Sequence, residues 1–182
     1  LKKYRDNTVE IFVSSTEMGQ GVLTTLRKIV AQALDLPLDQ VRHNYPDTAE
    51  CPDSGPTVAS RTILIIGRLL QECAKDMKQR WNEAAEFEIL RTYTYPADLA
   101  WDNDRLQGDA YIDYSWGANA VEVEIDPLTF EIAIKGIWSV YDIGTPIDEK
   151  IVQGQIEGGI VQGLGYGSMW DRNPSDEPLS KD

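Results

Sequence analysis

The stretch Thr8-Val9-Glu10-Ile11-Phe12-Val13-Ser14 runs through Ser15 into Thr16-Glu17-Met18-Gly19-Gln20-Gly21, and its reading decides the fold. Val9, Ile11 and Val13 share one face at the two-residue period of a strand. Beyond Gly21, the apolar residues Val22, Leu26, Ile29, Val30 and Ala33 recur at the spacing of one helical face. The segment is therefore a strand, a glycine-containing turn and a helix. Leu36-Pro37 ends that helix, because a residue before proline is pushed out of the helical well. A short strand is expected from Val41 to Tyr45.

Further along, Asp47 to Gly55 is a polar loop, and Pro56 stands where a first helical residue belongs, with Gly55 or Ser54 as its cap. A long helix is predicted from Thr57 to Trp81, with Ala59, Ile63, Ile66, Leu70, Cys73, Ala74 and Met77 on one face. Leu64, Ile65 and Leu69 widen the apolar arc, which predicts burial over much of its circumference. Glu83 to Gln107 reads as a strand and then irregular chain, with acids at Asp98, Asp102 and Asp104. Val121, Val123 and Ile125 alternate with Glu122 and Glu124 as in a half-buried strand. Asp126-Pro127-Leu128-Thr129 makes a turn, and Phe130 to Val140 returns as the hairpin partner. A third helix begins near Thr145, with Thr145 as cap, Pro146 at the first position and Asp148 close to a capping box. This order of elements is α+β, with helices packed on mixed sheets. Two subdomains are expected, about 1–82 and 83–182, and the polar tail from Arg172 to Asp182 is expected to fray.

Composition narrows the function. The chain has 182 residues, 42% hydrophobic and 26% charged, as in an ordinary soluble globular protein. No apolar run approaches the ~20 residues that span a bilayer. Leu1-Lys2-Lys3-Tyr4-Arg5 does not read as a signal peptide, and no Met opens the chain, so a cytoplasmic piece of something longer is expected. Such a piece should expose apolar surface. The net charge of −13 argues against non-specific nucleic-acid binding but not against a small anion held by local N–H groups. Cys51 and Cys73 are too few for a disulfide framework or structural zinc, and His43 has no partner with which to catalyse or bind metal. No nucleophile–base set and no metal site can be assembled.

Chemistry is concentrated in three segments. Met18-Gly19-Gln20-Gly21 lies between a strand and a helix, and Ser54 through Thr62 between a loop and a helix. The first N–H groups of a helix lack intrahelical partners and can receive an anion. Gln20 adds an amide, Ser60 a hydroxyl, and Arg61 a guanidinium able to pair a phosphate. Gly and Ser at a helix start are also ordinary caps. In the third segment, Gln155 through Gly165, each helical Gly costs about 1 kcal/mol relative to Ala, so Gly154, Gly158, Gly159 and Gly163 need a reason. Close packing against another backbone is the reason expected at Gly159 and Gly163; room for a ligand beside Gln155 or Gln162 is the other.

Thr16-Glu17-Met18-Gly19-Gln20-Gly21 and Asp53 through Ser60 are followed in order by Val121-Glu122-Val123-Glu124-Ile125-Asp126, Tyr141-Asp142-Ile143-Gly144 and Gln155 through Gly165. Together they resemble the molybdopterin-binding region of the xanthine dehydrogenase and aldehyde oxidase family, over about Val9 to Gly165. Gly108-Asp109-Ala110-Tyr111 and Tyr114 to Asn119 further resemble purine-hydroxylating bacterial members. The resemblance implies that Met18, Gly19, Gln20 and Gly21 line the pterin. It implies that Ala59, Ser60 and Thr62 bind the phosphate and pterin portions, that Arg61 lies near a cytosine dinucleotide extension, and that Gln155 reaches the pterin. It implies hydroxylation of a purine, related N-heterocycle or aldehyde, with iron–sulfur clusters and FAD in other domains or subunits. The family's Gly-Glu-Pro base segment is absent, since Asp176-Glu177-Pro178 does not match it, so no catalytic residue is assigned and the chain alone should be inactive. Phe130 stands where the family's hairpin turn favours Gly. The rival readings are a plain phosphate- or nucleotide-binding module and a structural assembly module.

Overall fold

The structure is a computed structural model that describes residues 1–168 apart from Asp98, Asn103, Ala110 and Ile112. The acid at Asp98, the Ala110 of the purine-hydroxylase-like stretch, the tail from Arg172 and the Asp176-Glu177-Pro178 segment lie outside the described residues. The chain divides into two compact units, Leu1–Tyr93 with Ile147–Asp182, and Thr94–Pro146.

In the first unit, β1 (Lys2–Lys3), β2 (Val9–Ile11), β3 (Val41–His43) and β4 (Phe87–Glu88) form one sheet in the order β3-β2-β1-β4. β2 pairs parallel with β3, in register Val9 to Val41 and Ile11 to His43, while β1 is antiparallel to both β2 and β4. The mixed sheet follows from connectivity: a parallel pair needs a crossover, and helix α1 (Val22–Leu34) supplies it. The alternation read from the sequence is realised, with Val9 and Ile11 at 0% exposure. They meet Leu26 and Val30 of α1, Val41 of β3 and Met77 of α2 (Arg68–Gln79) in one core. Burying side chains of this size contributes roughly 1.5–3 kcal/mol each.

The second helix corrects its predicted start. Pro56 lies in the loop, and helical backbone begins at Arg61. Ala59 and Ser60 adopt φ of 50° and 53°, left-handed values that no helix can include. A π-helical turn, Ile63–Gly67, then leads into α2. Gly67 sits against α1, where a Cβ would come within 2.9 Å of Ile29 Cδ1. Helix α3 (Glu149–Ser168) also starts later than expected. Its cap is Asp148, whose Oδ1 accepts from the Ile151 N–H at 3.1 Å, in place of Thr145.

The second unit holds a short pair, β5 (Trp101–Asp102) and β6 (Gln107–Gly108), and a long antiparallel hairpin, β7 (Trp116–Ile125) and β8 (Ile132–Asp142). The hairpin turn is organised by Asp126, whose Oδ1 accepts from Leu128 and Thr129 N–H groups at 2.7 and 3.1 Å. Phe130 takes φ 59° there, the conformation glycine would supply. The register slips between Glu122 and Val123, a bulge that leaves Lys135 unpaired in the ladder. The predicted half-burial is not met: Val121, Val123 and Ile125 are 54%, 49% and 55% exposed. A two-stranded ladder has no second layer of its own to cover either face.

Candidate cofactor-binding site

The first arm of the site is the loop from Thr16 to Gly21. Gly19 and Gly21 take φ of 101° and 79°, which folds the chain into a tight turn ahead of α1. Glu17 fills the inside of that turn. Its Oε1 accepts from the N–H groups of Gly19 and Gly21, both at 2.9 Å, and its Oε2 from Leu23 N–H at 3.1 Å. Burial pushes this carboxyl up, but the N–H donors of Leu23, Gly21, Gly19 and Val22 outweigh it and hold the group below the usual carboxylate range. The amides expected to await an outside anion thus already carry an internal one. Gln20 turns inward as well: its Oε1 accepts from Met18 N–H at 2.5 Å and its Nε2 donates to Thr16 O at 2.7 Å. Met18 projects outward and is 71% exposed.

The second arm runs from Ser54 to Thr62. Ser14 N–H donates to Ser54 Oγ at 3.0 Å, Ser54 N–H donates to Ser14 Oγ at 2.8 Å, and Thr16 N–H donates to Thr57 Oγ1 at 2.9 Å. These bonds lay the second loop alongside the first. Ala59 and Ser60 are exposed at the tip, while Thr62 is buried. Arg61 does not extend outward as a free phosphate fork. Its Nη1 donates to Ser54 O at 3.3 Å and Pro56 O at 2.9 Å, and the guanidinium lies over Gly55, where a Cβ would meet Nη1 at 2.9 Å.

The third arm is the start of α3. Asp148 pairs with Lys28 of α1, and Ile151 packs on Gly21 so closely that a Cβ there would lie 3.1 Å from Ile151 Cδ1. Gln155 follows Ile151 by one turn, on the same helical face, and is exposed. Along the same helix, a Cβ at Gly154, Gly158, Gly159 or Gly163 would meet nothing within 4 Å among the described residues. The close packing expected at Gly159 and Gly163 is therefore not made there.

The three sequence-predicted segments are thus brought together, the first to the second by serine and threonine bonds, the first to the third by Gly21–Ile151 and Lys28–Asp148. What the sequence reading missed is the part played by Glu17, Ser14 and Asp148. An acid placed four residues before Gly21 was the available signal for Glu17; nothing local marks Ser14 as the partner of Ser54. Chemically, the arms offer neutral donors and acceptors, the Gln20 and Gln155 amides and the Ser60 hydroxyl, beside two engaged cations, Lys28 and Arg61. Such a set suits a hydrogen-bond-rich heterocycle with a tethered phosphate better than a bare multivalent anion. Molybdopterin fits that description. Among the described residues no group of three or more His, Cys, Asp or Glu side chains is placed to hold a metal ion directly. No described helix is long and apolar enough to cross a membrane.

Comparison with known proteins identifies the family. The family model described as "Molybdopterin cofactor-binding domain" matches residues 1–94 and 87–171. Xanthine dehydrogenase 1 of Arabidopsis thaliana is 30% identical over 182 residues, covering 90% of this chain and 13% of that protein. Xanthine dehydrogenase/oxidase of Mus musculus is 28% identical over 193 residues, covering 96% of this chain and 14% of that protein. The chain therefore spans only a small part of the length of these relatives. In fold it is similar to the aldehyde oxidoreductase from Desulfovibrio desulfuricans, with TM-score 0.74 and 21% identity over 90% of this chain and 20% of that one. It is also similar to a Cu,Mo-CO dehydrogenase, with TM-score 0.68 and 19% identity over 90% of this chain and 25% of that one. The α+β reading stands. The chain belongs to the molybdopterin cofactor-binding domain family, as the resemblance implied.

Proposed function

We propose that these residues form part of the molybdopterin site of a molybdenum hydroxylase acting on purines, related N-heterocycles or aldehydes. The observation that supports this reading is the convergence of the Met18–Gly21 loop, the Ser54–Thr62 loop and the start of α3. When bound, the cofactor supplies a two-electron oxidation that leaves a water-derived oxygen on the substrate carbon. This chain's residues bind and orient it. Met18, Gly19, Gln20 and Gly21 line one side of the pterin, and Gln155 reaches it from α3. Ala59, Ser60 and Thr62 take the phosphate and the adjoining pterin edge. Gln20 does so by exchanging its internal bonds to Met18 and Thr16 for bonds to the ligand. A cytosine dinucleotide extension would pass Arg61, which must first release Ser54 and Pro56.

On this reading the 182 residues are one part of a larger cytoplasmic enzyme and carry no catalytic residue themselves. The proton-abstracting carboxylate, the substrate contacts, the iron–sulfur clusters and FAD belong to other domains or subunits of the assembly. The test is molybdenum and pterin content per chain in the intact protein, wild type and with Gln20→Ala, Ser60→Ala or Gln155→Ala. Each loses a ligand hydrogen bond of about 1 kcal/mol, so occupancy under limiting cofactor should fall severalfold. Unchanged content in all three variants points to a structural module. A metal-free, pterin-free protein that binds nucleotide tightly points to a nucleotide-binding one.

A further inference from the structure

We propose that Glu17 is a specificity-determining residue of this site: its carboxylate is the resident anion of the α1 start, so the Met18–Gly21 loop accepts a neutral hydrogen-bonding portion of the ligand and turns phosphate away. The inference rests on the cofactor reading above and assigns to Glu17 a task that none of the residues proposed to contact the cofactor performs. A helix start attracts anions because its first N–H groups point outward without partners and carry partial positive charge. Here Gly19, Gly21 and Leu23 N–H groups all donate to one carboxylate of the same chain, which spans the glycine turn and the first turn of α1. A phosphate arriving at this turn would meet no idle donors among these amides and a fixed negative charge a few ångströms away, an unfavourable encounter at any effective dielectric. A pterin edge, or any neutral amide-like group, meets no such repulsion.

The second loop contrasts with the first. Ala59 and Ser60 are exposed, their backbone is already turned into the left-handed region, and no acidic side chain is bonded across their N–H groups among the described residues. The charged end of a two-part ligand is thereby directed to the Ser60 side and the neutral end to the Gly19 side. Glu17 sets the polarity of binding. It also braces the turn, since the same three bonds fix the positive-φ glycines in place.

The experiment uses the intact protein purified from a host that makes no molybdopterin, as wild type, Glu17→Ala and Glu17→Gln. Hydrogen exchange is followed at Gly19, Gly21 and Leu23, with inorganic phosphate as the probe anion and the core amides of Leu26 and Val30 reporting that the fold is intact. In Glu17→Ala, exchange at the three amides should rise about tenfold or more, the loss of a charge-assisted bond. Millimolar phosphate should then slow it again. Glu17→Gln keeps one acceptor oxygen without the charge, so its exchange should rise less while phosphate protection still emerges. Wild type should show no phosphate effect at these amides. Phosphate protection in the wild type, or none in either variant, overturns the proposal. Reconstitution with molybdopterin is read separately: a wild-type protein that takes up none refutes the cofactor reading, while the phosphate results still decide whether Glu17 excludes anions.

Discussion

Ser14 and Ser54, forty positions apart, exchange hydrogen bonds, each backbone N–H donating to the other's hydroxyl. This closed ring ties the end of the β2 segment to the loop that precedes α2. Each bond contributes about 1 kcal/mol, and each hydroxyl that is removed leaves a partly covered N–H without its acceptor. Ser14→Ala and Ser54→Ala should each lower unfolding stability by about 1–2 kcal/mol in urea titrations. Because either loss loosens the ring, the double variant should cost less than the sum. Strict additivity would show that the two bonds act independently.

Acid should loosen the joint between α1 and α3. The Asp148 carboxyl is held below its ordinary range, first by its hydrogen bond from Lys28 and then by the Ile151 N–H. A carboxyl whose folded pKa is depressed adds stability that is complete above the unfolded value, roughly 4, and is lost as pH falls through the lower folded value. Asp148→Asn keeps an acceptor for Ile151 and discards the charge. Its urea midpoint should therefore depend less on pH below about 4 than that of the wild type. Parallel pH profiles would remove Asp148 from the acid response.

Gly21→Ala places a methyl group where two constraints meet. The residue has φ 79°, and the new Cβ would press on Ile151 Cδ1 at 3.1 Å. A left-handed conformation costs a non-glycine residue roughly 1–2 kcal/mol, and destabilisation of that size is expected in urea unfolding. The shift of Ile151 also displaces Gln155, so cofactor content of the intact protein should drop with stability. A variant as stable as the wild type would show that Ile151 and the loop relax freely.

Phe130→Gly should act in the opposite direction. Phe130 is 76% exposed and sits at φ 59° in the β7–β8 turn, so its ring contributes little burial while its backbone is strained. Glycine at this position should raise stability by about 0.5–1 kcal/mol, seen as a higher thermal midpoint. A lower midpoint would mean that the ring makes a contact worth more than the strain.

How much of this was legible before the structure depends on whether the cause was local. Val9, Ile11 and Val13 announced their strand, and Val22 to Val30 their helix, because periodic burial leaves its period in the sequence. The hairpin limits were close for the same reason. The start of the second helix was misread because Pro56 looks like a first helical residue, while the left-handed turn at Ala59 and Ser60 uses residue types that give no warning. The candidate segments were found through their glycines and amides. Their internal wiring was not, since Glu17, Gln20 and Arg61 could equally have pointed outward. Burial of the hairpin was overestimated because alternation reports an apolar face and says nothing of what covers it.

The start of α3 is tied to α1 by the Asp148–Lys28 pair and by Ile151 against Gly21, and no described residue of the helix is buried. Its geometry is that of a lever with the fulcrum beside Gly21. A tilt of roughly 10° about Ile151 would carry Ser168, about 25 Å along the axis, by some ~4 Å, but Gln155, about 6 Å along, by only ~1 Å. The Gln155 amide, proposed above to reach the pterin, thus sits on the short arm, where swings of the long arm are scaled down before they reach it.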